Sequence, residues 1–115
     1  MKNLTSLLIA SLTFFIGSSF AQTKNVLFLG NSYTGVNNLP LLTYNLALSL
    51  GDTINYDSNT PGGYTIEGHS TNVTSLTKIA QGDWDFVILQ EQSQKPSFPP
   101  SQVATEVYPY AQILV

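Results

Sequence analysis

Two short runs constrain this chain more than any other feature. Val26-Leu27-Phe28-Leu29 and Phe86-Val87-Ile88-Leu89 are apolar at every position. A strand that shows one face to water alternates apolar and polar residues, whereas a strand covered on both faces stays apolar throughout. Both runs therefore read as strands inside a parallel sheet, the first from Asn25 and closed by Gly30, the second from Asp85. A weaker alternation, Thr53-Ile54-Asn55-Tyr56-Asp57, reads as a further strand lying between them in sequence.

The segments that link these strands have helical character. Asn31 to Asn38 is rich in Asn, Ser, Thr and Gly and reads as loop. Pro40 then suits a first helical turn, Leu39, Leu42, Leu46 and Leu50 recur at helical spacing, and Gly51 supplies a stop. After the turn cluster Ser58 to Gly63, the spacing of Ile66, Val73, Leu76 and Ala80 predicts one helix from Thr65 to Gln81, ended by Gly82. Its many Ser, Thr and Asn residues make it weak in isolation, so packing must hold it. Lys95 to Pro100 reads as a proline-broken loop, followed by one turn from Gln102 and a helix with Pro109 in its first turn. Strand and helix alternate three times, which implies an α/β fold with helices on both faces of a parallel sheet.

The segment before the first strand has a different logic. A basic start (Lys2), a mostly apolar run from Leu4 to Ile16, and small residues ending in Ser19-Phe20-Ala21 form the three-part pattern of a secretory signal. Residues 1–21 are therefore expected to be cleaved, leaving an exported protein, periplasmic or secreted, from residue 22. The apolar run falls short of the ~20 residues that a membrane span needs. With a net charge of −3 and only four Lys and Arg, the chain offers no basic stripe for nucleic acid and no basic helix for a membrane surface. It has no cysteine and one histidine, which excludes thiol catalysis and leaves no expected metal site or cofactor. Nothing in the sequence fixes an oligomeric state.

Each strand runs into a polar or glycine-rich loop: Gly30-Asn31-Ser32, Pro61-Gly62-Gly63 and Gln90-Glu91-Gln92. In open α/β sheets, ligands bind outside the carboxyl ends of the strands, where these loops gather. Ser32, two residues beyond a buried strand, would be held exposed at that rim. A serine becomes a nucleophile only when a base takes its proton and donors stabilise the oxyanion that forms. The available donors are the Ser32 N–H, the N–H groups of Gly62-Gly63 and the Gln92 side-chain amide. Asn31, Gly62, Tyr33 and Glu91 are expected to line the site, and Tyr64 flanks it. A turn-capping serine is the plainer alternative for Ser32. His69 reads as a half-exposed histidine near a helix N-terminus rather than as the base. Asn72-Val73-Thr74 fits a glycosylation sequon.

Gly30-Asn31-Ser32-Tyr33 near the mature N-terminus resembles the first block of the SGNH/GDSL hydrolase superfamily, whose serine is the nucleophile. The resemblance implies that Gly63, as the second-block glycine, and Gln92, where the family has asparagine, join the Ser32 N–H in an oxyanion hole. Glutamine is one methylene longer, a departure that bears on the reach of this donor. The family's fourth block, an Asp and a His three residues apart, has no match here. The chain is thus expected to be the N-terminal part of such a domain, with that block beyond Val115. The implied fold is a flavodoxin-like α/β/α sandwich of strand order 2-1-3-4-5, of which this chain supplies strands 2, 1 and 3. The implied activity is hydrolysis of a small-molecule or carbohydrate ester through an acyl-enzyme. Two other readings stand beside it: a flavodoxin-like module that binds phosphate, nucleotide or another ligand without hydrolysis, and an inactive piece lacking the catalytic Asp and His.

Overall fold

The computed structural model describes residues 21–115. The segment read as an export signal lies outside the described residues, apart from Ala21. Three strands, β1 (Thr23–Leu29), β2 (Thr53–Asn59) and β3 (Phe86–Leu89), form a parallel sheet in the order β2-β1-β3. The fold is α/β. Among the described residues, six helices accompany the sheet: α1 (Ser32–Gly35), α2 (Leu39–Ser49), α3 (Ile66–Thr71), α4 (Val73–Ala80), α5 (Pro100–Glu106) and α6 (Tyr108–Ile113). A 3-10 turn, Lys95–Ser97, precedes α5.

The most apolar strand is the central one. Val26, Leu27, Phe28 and Leu29 are all buried, because β1 is paired on both edges and covered on both faces. The register sets Leu29 between Asn59 and Leu89, so all three strands end level. Leu27 and Leu29 point to the side of α3 to α6, where they form the core with Ile66, Val107 and Leu114. Ile79, Trp84 and Tyr110 pack against that cluster. The opposite face, bearing Val26 and Tyr56, is crossed by α2, whose Tyr44 ring lies 6.0 Å from that of Tyr56.

Three expectations need correction. The stretch from Asn31 to Asn38 is not all loop: α1 forms directly after β1, because the Asn31 side chain accepts from the Tyr33 N–H and caps it. Thr65 to Gln81 is two helices. Asn72 leaves helical geometry (φ −80°, ψ 120°), and its side chain accepts from the Ser75 N–H to start α4. As a result Val73 and Leu76 turn outward, while Ser75 and Ile79 face inward. The leucine stripe of α2 does not meet the sheet. Pro40, Thr43, Tyr44 and Ala47 turn inward instead, roughly a quarter-turn around the helix. Leu42 and Leu46 remain exposed, as do Phe86 and Ile88 of β3, since no described element packs over them. No helix among the described residues is long and apolar enough to cross a membrane.

Candidate functional site

Because the strands end level, the loops that follow β1, β2 and β3 emerge side by side. The Gly30 N–H donates to the Asn59 carbonyl at 3.1 Å, and the Gln90 N–H donates to the Leu29 carbonyl at 2.8 Å. Gly30 is tightly enclosed: a methyl placed on it would fall 2.6 Å from Thr34 Oγ1 and 2.7 Å from Gln90 Oε1. Only glycine permits this approach of loop to loop.

Asn31 ties the three loops together. Its N–H donates to Gln90 Oε1 at 3.0 Å, and its side-chain Nδ2 donates to the Tyr64 carbonyl at 2.9 Å. Its Oδ1 accepts from the Tyr33 N–H at 3.0 Å. Gln90 Oε1 also accepts from the Thr34 hydroxyl at 2.9 Å. Asn31 is therefore buried and internally satisfied, a brace rather than a wall of the site. Sequence reasoning passed over Gln90. Its signal was its place as the first polar residue after the apolar run of β3.

Ser32 lies next to this brace and is exposed. Neither its hydroxyl nor its N–H is hydrogen-bonded among the described residues. A cleft of about 240 Å³ opens beside it, lined by Ser32, Tyr33, Val36 and Asn37. Gly62 and Gly63 sit in a turn closed by the Tyr64 N–H on the Pro61 carbonyl at 3.3 Å. Gly63 has φ +68°, the conformation that such a turn demands of its third residue. Its N–H is free among the described residues. Gln92 uses its Oε1 to accept from the Gln94 N–H at 2.8 Å, which leaves its amide N–H groups as available donors.

Glu91 is half-buried, and its carboxylate is taken up by backbone donors. Its carboxylate accepts from the Ile66 N–H at 3.2 and 3.3 Å and from the Gln92 N–H at 2.6 Å. It thereby caps α3 with negative charge at the helix's positive end and joins the β3 loop to the segment after Gly63.

His69 is fully buried, not half-exposed. Nε2 lies 2.8 Å from the Gly30 carbonyl, and Nδ1 lies 2.7 Å from Ser75 Oγ. A carbonyl only accepts, so the proton sits on Nε2, and Nδ1 accepts from the Ser75 hydroxyl. Ser75 Oγ in turn accepts from Asn59 Nδ2 at 2.9 Å. Burial pushes the His69 pKa below its ordinary 6.5, against the Gly30 hydrogen bond and the Glu91 charge, which both act to raise it. Both ring nitrogens are engaged, by Ser75 and by the Gly30 carbonyl, and neither is hydrogen-bonded to Ser32. Asn72 of the sequon is engaged as well, donating to the Tyr64 hydroxyl at 3.0 Å while capping α4.

Among the described residues, no group of three or more His, Cys, Asp or Glu side chains is placed to hold a metal ion. No family model, no curated protein and no solved structure matches the chain.

Proposed function

We propose that this chain carries the nucleophile of a serine hydrolase acting on esters, with Ser32 as the attacking residue, in the manner of the SGNH/GDSL superfamily. One observation carries the reading: an exposed serine with an unbonded hydroxyl projects from a rim where three loops are laced together through Asn31. The strand order β2-β1-β3, with helices on both faces, is how that family's flavodoxin-like sandwich begins, and supports the finer fold reading.

In the proposed reaction, Ser32 Oγ attacks the ester carbonyl carbon while a base takes the hydroxyl proton. The oxyanion draws on the free N–H groups of Ser32 and Gly63 and the Gln92 amide, each donor being worth about 3 kcal/mol in such sites. The alcohol leaves with the proton returned to it, and water then hydrolyses the acyl-serine. His69 is engaged at both ring nitrogens, with Ser75 and with the Gly30 carbonyl, so it is not the base in this proposal. The cleft beside Ser32, at about 240 Å³, suits a short acyl group or one sugar-borne ester. The export part of the reading rests on the sequence pattern of residues 1–21 alone.

A phosphate-binding loop would need several free amides at one point. Here the Asn31 N–H is taken by Gln90 of the neighbouring loop and those of Tyr33 and Thr34 by Asn31, so of these only that of Ser32 is left. One free amide fits an oxyanion better than a phosphate. The test is hydrolysis of p-nitrophenyl acetate by the exported protein and by its Ser32→Ala variant. The variant is expected to lose about four orders of magnitude or more in rate; unchanged turnover removes the proposal.

A further inference from the structure

The most unusual buried group in this molecule is the His69 imidazole. Placing a titratable ring at the base of a loop has a desolvation cost that phenylalanine would avoid. What phenylalanine could not do is donate. The Gly30 carbonyl lies past the last paired residue of β1, and the Nε2–H of His69 is its hydrogen-bond donor, at 2.8 Å. No other donor among the described residues reaches it. The ring is itself locked. Its Nδ1 lies 2.7 Å from Ser75 Oγ, Asn59 Nδ2 donates to that same oxygen at 2.9 Å, and the Tyr64 ring packs edge-on at 5.0 Å. This chain of contacts runs from β2 and α4 through α3 to the peptide two residues before Ser32.

We propose that His69 is a positioning residue for the nucleophile, its Nε2–H holding the Gly30 carbonyl and so fixing the backbone from which Ser32 projects. This rests on Ser32 being the attacking residue. Besides the Gly30 N–H on the Asn59 carbonyl at 3.1 Å, two side chains set the Gly30-Asn31-Ser32 backbone: His69 on the Gly30 carbonyl and Gln90 on the Asn31 N–H at 3.0 Å. Releasing either lets the serine shift. A displacement of about 1 Å in a reacting group costs on the order of a hundredfold in rate.

The experiment is steady-state ester hydrolysis by the exported protein in four variants, with thermal melts alongside. His69→Phe is expected to lower kcat about ten- to a hundredfold with little change in KM. His69→Gln, whose amide can still donate toward Gly30, is expected to recover most of that loss. Ile79→Ala, a core truncation in α4, is expected to lower the melting temperature and leave kcat unchanged. A folded His69→Phe with wild-type kcat overturns the proposal, as does an Ile79→Ala that loses kcat to the same extent. Ser32→Ala separates the two ideas. If it stays active, the nucleophile assignment has failed; if it is dead while His69→Phe is fully active, only the positioning role has failed. Nitrogen-15 NMR of the wild-type ring supplies a check should His69→Phe not fold. The proton is expected on Nε2, and a proton on Nδ1 overturns the proposal, because the Gly30 carbonyl would then have no donor.

Discussion

Replacing Gly30 with alanine tests whether the three loops are as tightly joined as their hydrogen bonds indicate. Gly30 does not have a positive φ, so alanine fits the backbone without strain and gains about 0.4–1 kcal/mol from the stiffer unfolded chain. The methyl, however, would lie 2.6 Å from Thr34 Oγ1, 2.7 Å from Gln90 Oε1 and 3.2 Å from Gln90 Cβ. Gln90 Cβ is not the end of a flexible chain, so the whole side chain must move. Overpacking of this kind costs about 1–3 kcal/mol. The displaced Gln90 also releases the buried Asn31 N–H, and an orphaned buried donor costs about 1–3 kcal/mol more. The net effect is a loss of about 3 kcal/mol, or roughly 10–20 °C in melting temperature for a domain of this size. Gly62→Ala is the matched control, since its methyl would meet nothing within 4 Å; it should stay within about 0.5 kcal/mol of wild type. Thermal melts followed by circular dichroism measure both. If Gly30→Ala and Gly62→Ala melt together, the packing of Gly30 against Thr34 and Gln90 does not support the site.

Other outcomes follow from the same contacts. Gly63→Ala should cost about 1–2 kcal/mol in a urea melt, purely from its φ of +68°, because the space around it is open. The folded pKa of His69 lies below its unfolded 6.5, so its contribution to stability is complete above that pH and is lost as pH falls from there toward the folded value. Urea melts of wild type should weaken across this window, and those of His69→Gln should show less of the effect. Glu91→Ala should destabilise by about 1–2 kcal/mol in the same assay, by leaving the Ile66 and Gln92 N–H groups without their acceptor. Asn72 should carry no glycan when the protein is secreted from a eukaryotic host, because its side chain is bound to Tyr64 and Ser75; an intact mass showing a glycan there would contradict this.

The central strand was legible because burial on both faces leaves an unbroken apolar run. A similar run marked β3, but there only Val87 and Leu89 pack on the core, while Phe86 and Ile88 stay exposed. The Thr65–Gln81 stretch was misjudged because helical spacing continues across Asn72, while the helix does not. Asparagine satisfies the next helix's N–H groups with its own side chain, and that local preference overrode the periodicity. The α2 stripe shows the opposite limit. Leucine spacing marks an apolar face but does not reveal whether anything packs on it, and here Tyr44 and Ala47 face the sheet instead. At the site, the loops and Ser32 could be located from strand ends alone. The roles of Gln90, Glu91 and His69 could not, because each depends on a partner far away in sequence: Asn31, Ile66 and Gly30 respectively.

The central claim is that Ser32 is a nucleophile, and covalent labelling tests it most directly. The protein would be incubated with a fluorophosphonate probe, digested and mapped by mass spectrometry. A single adduct on Ser32, absent in Ser32→Ala, is the expected result. An unlabelled Ser32 in a protein that hydrolyses esters, or an adduct on a different residue, would contradict it.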